Sequence, residues 1–202
     1  MTDNYEKIVQ ENLKQLYRDM PDDMAENLPA EKSGDRFIFT AFGETCVISP
    51  EGITLGEGGH SSAIGILISL YALNAKPDPC IETPFKAFKQ LPDSMPYAGA
   101  FTTHTEQVLV PYTESVEKSI PLIKERLCGK DSPREVSGDF AFVVYPLPKI
   151  ALCYIFYEAD DEFAASATCL YSQNADLFLP VDALADTGEY TSKKILEIIG
   201  RI

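Results

Sequence analysis

Residues 138–184 constrain the fold more than any other stretch of the chain. They read GDFAFVVYPLPKIALCYIFYEADDEFAASATCLYSQNADLFLPVDAL. Two apolar runs meet at the turn Pro146-Leu147-Pro148-Lys149, and an acidic corner, Asp160-Asp161-Glu162, follows the second. A third short run ends in Cys169-Leu170-Tyr171, and a helix start follows Pro180. Short β-rich runs separated by turn residues predict an antiparallel β-meander with one polar corner.

The remaining segments fit around it. Tyr5, Ile8, Val9, Leu13, Leu16, Tyr17 and Met20 recur at three- and four-residue spacing, which predicts a helix over residues 3–20. From Arg36 to Leu55 the period falls to about two, giving strands at residues 37–39, 45–48 and 53–55 with turns at Gly43-Glu44 and Pro50-Glu51-Gly52. Residues 63–75 are apolar almost all round, the mark of a buried helix, and Pro77 and Pro79 stop it. A strand is expected over residues 81–88, at an edge or bulge because of Pro84. Residues 91–100 read as a loop pinned by proline and glycine, residues 101–109 and 112–127 as helices, 130–137 as a loop, and 181–199 as the last helix. The expected class is α+β: antiparallel sheet or sheets with a C-terminal meander, packed by N-terminal, central and C-terminal helices. At 202 residues the chain is expected to form a single domain over 1–202, with 1–76 and 77–202 as the natural subdivision.

Charge narrows the partners. The formal net charge is −14, which repels nucleic acid and anionic lipid, so neither is expected as a partner. The chain opens without a basic segment followed by an apolar one, so no signal peptide is expected, and residues 64–73 are too few to cross a bilayer. The five cysteines form no C-x-x-C pair, and Cys46, Cys153 and Cys169 sit among strand residues as small apolar groups. Reduced thiols and a cytoplasmic location are the expectation, with neither metal nor cofactor.

Gly59-His60-Ser61-Ser62-Ala63 superficially resembles a nucleophile elbow, but no buried strand precedes it, and it is better read as a helix cap after a glycine loop. The sharper candidate is the acidic corner. Clustered carboxylates at a sheet end can hold a divalent cation or act as an acid–base pair if one is buried. They also occur in ordinary solvated turns.

Leu91-Pro92-Asp93-Ser94-Met95-Pro96-Tyr97-Ala98-Gly99-Ala100-Phe101, Gly138-Asp139, Pro146-Leu147-Pro148, residues 160–167 and Leu179-Pro180-Val181-Asp182-Ala183-Leu184 occur in an order that resembles a prokaryotic domain-of-unknown-function family, DUF3786. The resemblance spans most of the chain, from Tyr5 to Ile199. It implies no assigned activity. Some members carry an N-terminal four-cysteine iron–sulfur segment like that of corrinoid iron–sulfur proteins, which implies an association with anaerobic corrinoid or iron–sulfur one-carbon metabolism. No such four-cysteine segment occurs within residues 1–202, so cluster binding is not expected. The family's Phe-Pro-Ala-Ser step reads Phe163-Ala164-Ala165-Ser166 here.

The expected function is therefore an accessory domain that binds a small molecule or a protein partner in a groove between the 91–101 loop and the acidic corner. Tyr97, Asp160, Asp161, Glu162 and Ser166 are its expected ligand-binding residues. The alternative is an enzyme using the Asp160–Glu162 corner for acid–base or divalent-metal chemistry. A buried carboxylate beside Ser166 or Tyr97 would favour the enzyme, and a fully exposed corner the binding domain.

Overall fold

A computed structural model describes residues 4–57 and 62–201. The elbow-like step at residues 59–61 lies outside the described residues. Helices α1 (Asn4–Arg18) and α2 (Met24–Asn27) lead into strands β1 (Glu31–Ser33), β2 (Arg36–Ala41), β3 (Glu44–Ser49) and β4 (Gly52–Leu55). These four strands form an antiparallel sheet in chain order. Helix α3 (Ser62–Leu73) follows, then strand β5 (Lys86–Ala87) and helix α4 (Ala98–Phe101). A π-helical turn, Thr102–Gln107, and a 3-10 turn, Val110–Tyr112, lead into α5 (Thr113–Arg126). Strands β6 (Lys130–Asp131), β7 (Phe140–Leu147), β8 (Ile150–Tyr157) and β9 (Ser166–Tyr171) precede the long helix α6 (Val181–Ile198). The second sheet is also antiparallel, in the order β5-β9-β8-β7-β6. The fold is α+β with a C-terminal meander, as its alternating apolar runs require.

The strand expected over residues 81–88 shortens to Lys86–Ala87, at the sheet edge. Pro84 cannot donate to a ladder, and its peptide bond with Thr83 is cis. The helix expected over residues 101–109 breaks into α4 and the π turn. Strands β1 and β6 carry too few apolar residues to signal themselves and form by pairing with β2 and β7.

One continuous cluster of buried side chains runs from Leu13, Phe37 and Ile48 through Leu67 and Tyr71 to Phe142, Leu152, Tyr154, Leu184 and Ile195. It lies between the first sheet, the inner face of the meander and helices α1, α3 and α6. The alternate residues Val143, Ala151, Cys153 and Ile155 point to the other face of the meander, against Phe85, Val136 and Leu170. Both faces are thus covered, which explains why β8 reads as an almost unbroken apolar run. Cys46, Cys153 and Cys169 are fully buried free thiols.

The two sheets meet at the β2–β3 turn. Phe42 and Gly43 both take positive φ, 50° and 80°, as in two-residue hairpin turns that match strand twist. A phenylalanine there is strained. Its ring is buried, and its N–H donates to the Pro146 carbonyl of the meander at 2.7 Å. A side chain on Gly43 would lie 2.2 Å from the Arg126 carbonyl, so only glycine fits.

Candidate functional site

The meander's edge is unfinished. Strand β5 pairs only with Tyr171 and Leu170 of β9. Residues 166–169 have no neighbouring strand on that side among the described residues. An open edge leaves backbone groups unpaired. The π turn packs along it instead, and its Glu106 stands in for a strand: Oε1 accepts the Cys169 N–H at 3.0 Å.

Glu106 is half-buried. Burial pushes its carboxyl above the usual glutamate range, partly offset by hydrogen bonds from the Cys169 N–H and Thr102 and by the charge of Lys89. No lysine, arginine or histidine lies within salt-bridge distance of it among the described residues.

Two cavities flank this carboxylate. One, of about 270 Å³, lies between Phe88, Lys89, Ala98, Phe101 and Thr168. The other, of about 420 Å³, lies between Gln107, Val110, Pro111, Ala165, Ser166 and Ala167. Thr102 and Glu106 contribute to the walls of both. The small side chains Ala165, Ser166 and Ala167 leave the space that larger residues would fill.

The floor beneath the π turn is a chain of buried hydroxyls. Ser192 of α6 donates to the Thr105 carbonyl at 2.7 Å, and the Tyr154 hydroxyl lies 3.0 Å from Ser192 Oγ. Buried backbone carbonyls in an irregular helical turn need such partners, and Ser192 supplies one. Gly188 lets α6 come close enough: a side chain there would meet Phe101 at 2.6 Å and the Tyr171 hydroxyl at 2.7 Å. The π turn, and with it Glu106, is therefore held by the core rather than by local helix geometry.

The residues expected from sequence fall around this edge unevenly. Ser166 opens β9 and lines the larger cavity. Tyr97 is exposed, one residue ahead of Ala98, and its carbonyl accepts the Phe101 N–H at 2.9 Å. Asp160, Asp161 and Glu162 are exposed in the connection from β8 to β9. Asp160 Oδ1 accepts the N–H groups of Glu162 at 2.8 Å and Phe163 at 2.7 Å. Those bonds hold its carboxyl below the usual aspartate range. The corner is thus a hydrogen-bonded solvated turn. The half-buried carboxylate that lines the larger cavity with Ser166 is Glu106, which a helix over residues 101–109 does not single out. Only the polar Thr102, Thr105 and Glu106 inside that helix signalled a face that is not plain core. Among the described residues no group of three or more His, Cys, Asp or Glu side chains is arranged to hold a metal ion.

A carboxylate whose folded-state proton affinity is raised costs stability when ionised. Replacing Glu106 by Gln should therefore raise stability near neutral pH, since the amide oxygen can still accept the Cys169 N–H. The wild-type chain should close that gap as pH falls through the raised pKa of Glu106 towards the ordinary glutamate value of about 4.3. Urea unfolding of both forms across this range measures it. A Gln variant that is less stable at neutral pH would mean that the carboxylate stabilises the fold.

A family model described as Domain of unknown function (DUF3786) matches residues 20–194 of the chain. No curated protein and no solved structure matches it. No described helix is long and apolar enough to cross a membrane.

Proposed function

The chain belongs to the domain-of-unknown-function family DUF3786, and on that premise we propose that it is a cytoplasmic small-ligand-binding accessory domain. Its binding groove runs along the open edge of β9. The observation that carries this reading is the half-buried Glu106 between two cavities, without a cationic partner among the described residues. A carboxylate held half out of water at a cost in stability, where a neutral acceptor would cap the Cys169 N–H as well, points to a site kept for function. The cavities have the size and mixed lining of small-molecule sites: apolar walls with a few polar groups fixing orientation. Ser166 belongs to the wall, Tyr97 to the rim beside Ala98, and the Asp160–Glu162 turn to the approach.

A second reading follows from the same carboxylate. A glutamate with raised proton affinity beside a serine hydroxyl is equipped for general acid–base work. It replaces the acidic corner as the centre of the enzyme reading, since the corner carboxylates are exposed. A tie to corrinoid or iron–sulfur one-carbon systems is an implication of family membership, and the ligand groove is compatible with an accessory role there.

An amide-resolved NMR titration against a small-fragment library tests the groove. Fragments should shift the amides of Thr102, Glu106, Ser166 and Cys169 together, and Ser166→Trp, which fills the larger cavity, should abolish those shifts while leaving the remaining spectrum folded. Binding confined to other surfaces, or unaffected by S166W, would overturn the reading.

A further inference from the structure

Resting on this reading of the groove, we propose that its ligand is a small primary amine, bound as the ammonium ion with its nitrogen on Glu106 and its apolar body along Val110, Pro111, Ala165 and Ala167.

The geometry selects the charge. Oε1 of Glu106 accepts the Cys169 N–H and Thr102 also bonds the carboxylate, whose remaining lone pairs are left for a ligand. A half-buried carboxylate recovers its desolvation cost when an opposite charge arrives within hydrogen-bond reach. None of the residues around the larger cavity is a lysine or arginine, so no cation there competes for the carboxylate. Lys89 lies only in the smaller cavity, on the far side of Thr102 and Glu106, and its side chain is exposed.

The lining also selects the head group. An ammonium ion has three donors and no acceptor. Glu106, Thr102, Ser166 and Gln107 line one cavity, and their side chains carry a carboxylate, two hydroxyls and an amide oxygen as acceptors. An anion would meet the Glu106 carboxylate, and a neutral alcohol would bring a single donor and no charge to offset the carboxylate. The groove offers about 420 Å³ bordered by Pro111, Val110 and two alanines, which suits a short alkyl chain. The net charge of −14 adds a long-range field that draws cations towards the surface.

The experiment compares pentylamine, pentan-1-ol and pentanoate at neutral pH and fixed ionic strength, followed by the amide signals of Thr102, Ser166 and Cys169. Pentylamine should shift these signals saturably, and the two isosteres should bind at least about tenfold more weakly, the loss expected for a hydrogen bond to a charged group. Glu106→Gln should weaken pentylamine binding by a similar factor and abolish its preference over pentan-1-ol. If pentan-1-ol or pentanoate binds the same amides as tightly as pentylamine, the amine assignment is wrong and the groove reading stands. If none of the three moves these amides, the groove reading fails and the amine assignment fails with it.

Discussion

Replacing Leu67 by alanine should lower the stability of the chain by about 2–5 kcal/mol in a urea or guanidinium denaturation. Leu67 lies on α3, whose twelve residues are apolar on every side. Ile64, Leu67, Ile68 and Tyr71 are all buried, and they belong to the cluster that joins the first sheet to the meander. The helix is wedged between α1, α6 and β4, so the cavity left by a leucine has walls fixed by three separate elements. Such a site cannot collapse, and the cost then includes the empty volume as well as the lost transfer energy. A measured change below about 0.5 kcal/mol, the size of an ordinary surface substitution, would mean that α3 is peripheral.

Gly188→Ala should also destabilise, although alanine is the better helix former by up to about 1 kcal/mol. The added methyl would sit 2.6 Å from the Phe101 ring and 2.7 Å from the Tyr171 hydroxyl, closer than carbon atoms pack. Neither neighbour is free to leave. Phe101 stacks on Phe88 with centroids 4.3 Å apart, and the Tyr171 hydroxyl donates to the Leu184 carbonyl at 2.7 Å. Overpacking of a filled core costs about 1–3 kcal/mol, which outweighs the gain in propensity. The change should reach the groove as well, because Phe101 and Thr102 are walls of the smaller cavity and Thr105 lies 3.1 Å from the new methyl. Loss of stability together with shifts in the Thr102 and Cys169 amides is the expected outcome. A more stable variant with an unchanged groove would show that α6 can move away from the π turn.

The apolar rhythm of the chain was enough to locate most elements. Helix α1, the three strands between residues 36 and 55, the buried helix α3, the meander β7–β8–β9 and the last helix all follow from periods of 3.6 or 2 and from proline and glycine stops. These signals are local, because an element that buries one face must repeat apolar residues at the spacing of its own geometry. Even the burial of Cys46, Cys153 and Cys169 follows from their strand neighbours.

The site was much less legible. Ser166 was expected from its small-residue step, and the corner carboxylates from their clustering. Glu106 was not, because nothing within residues 101–109 says that a helix will open into a π turn. That turn exists because Ser192, 87 residues away, captures the Thr105 carbonyl, and because Gly188 leaves room for Phe101. Likewise the open edge of β9 arises because the chain leaves β5 after Ala87 in the 3-10 turn Phe88–Gln90 instead of continuing opposite residues 166–169. Periodicity reports what each segment buries. Which segment lies across an unfinished sheet edge, and which carboxylate is thereby drawn half out of water, depends on packing between residues far apart in sequence, and only the tertiary structure decides it.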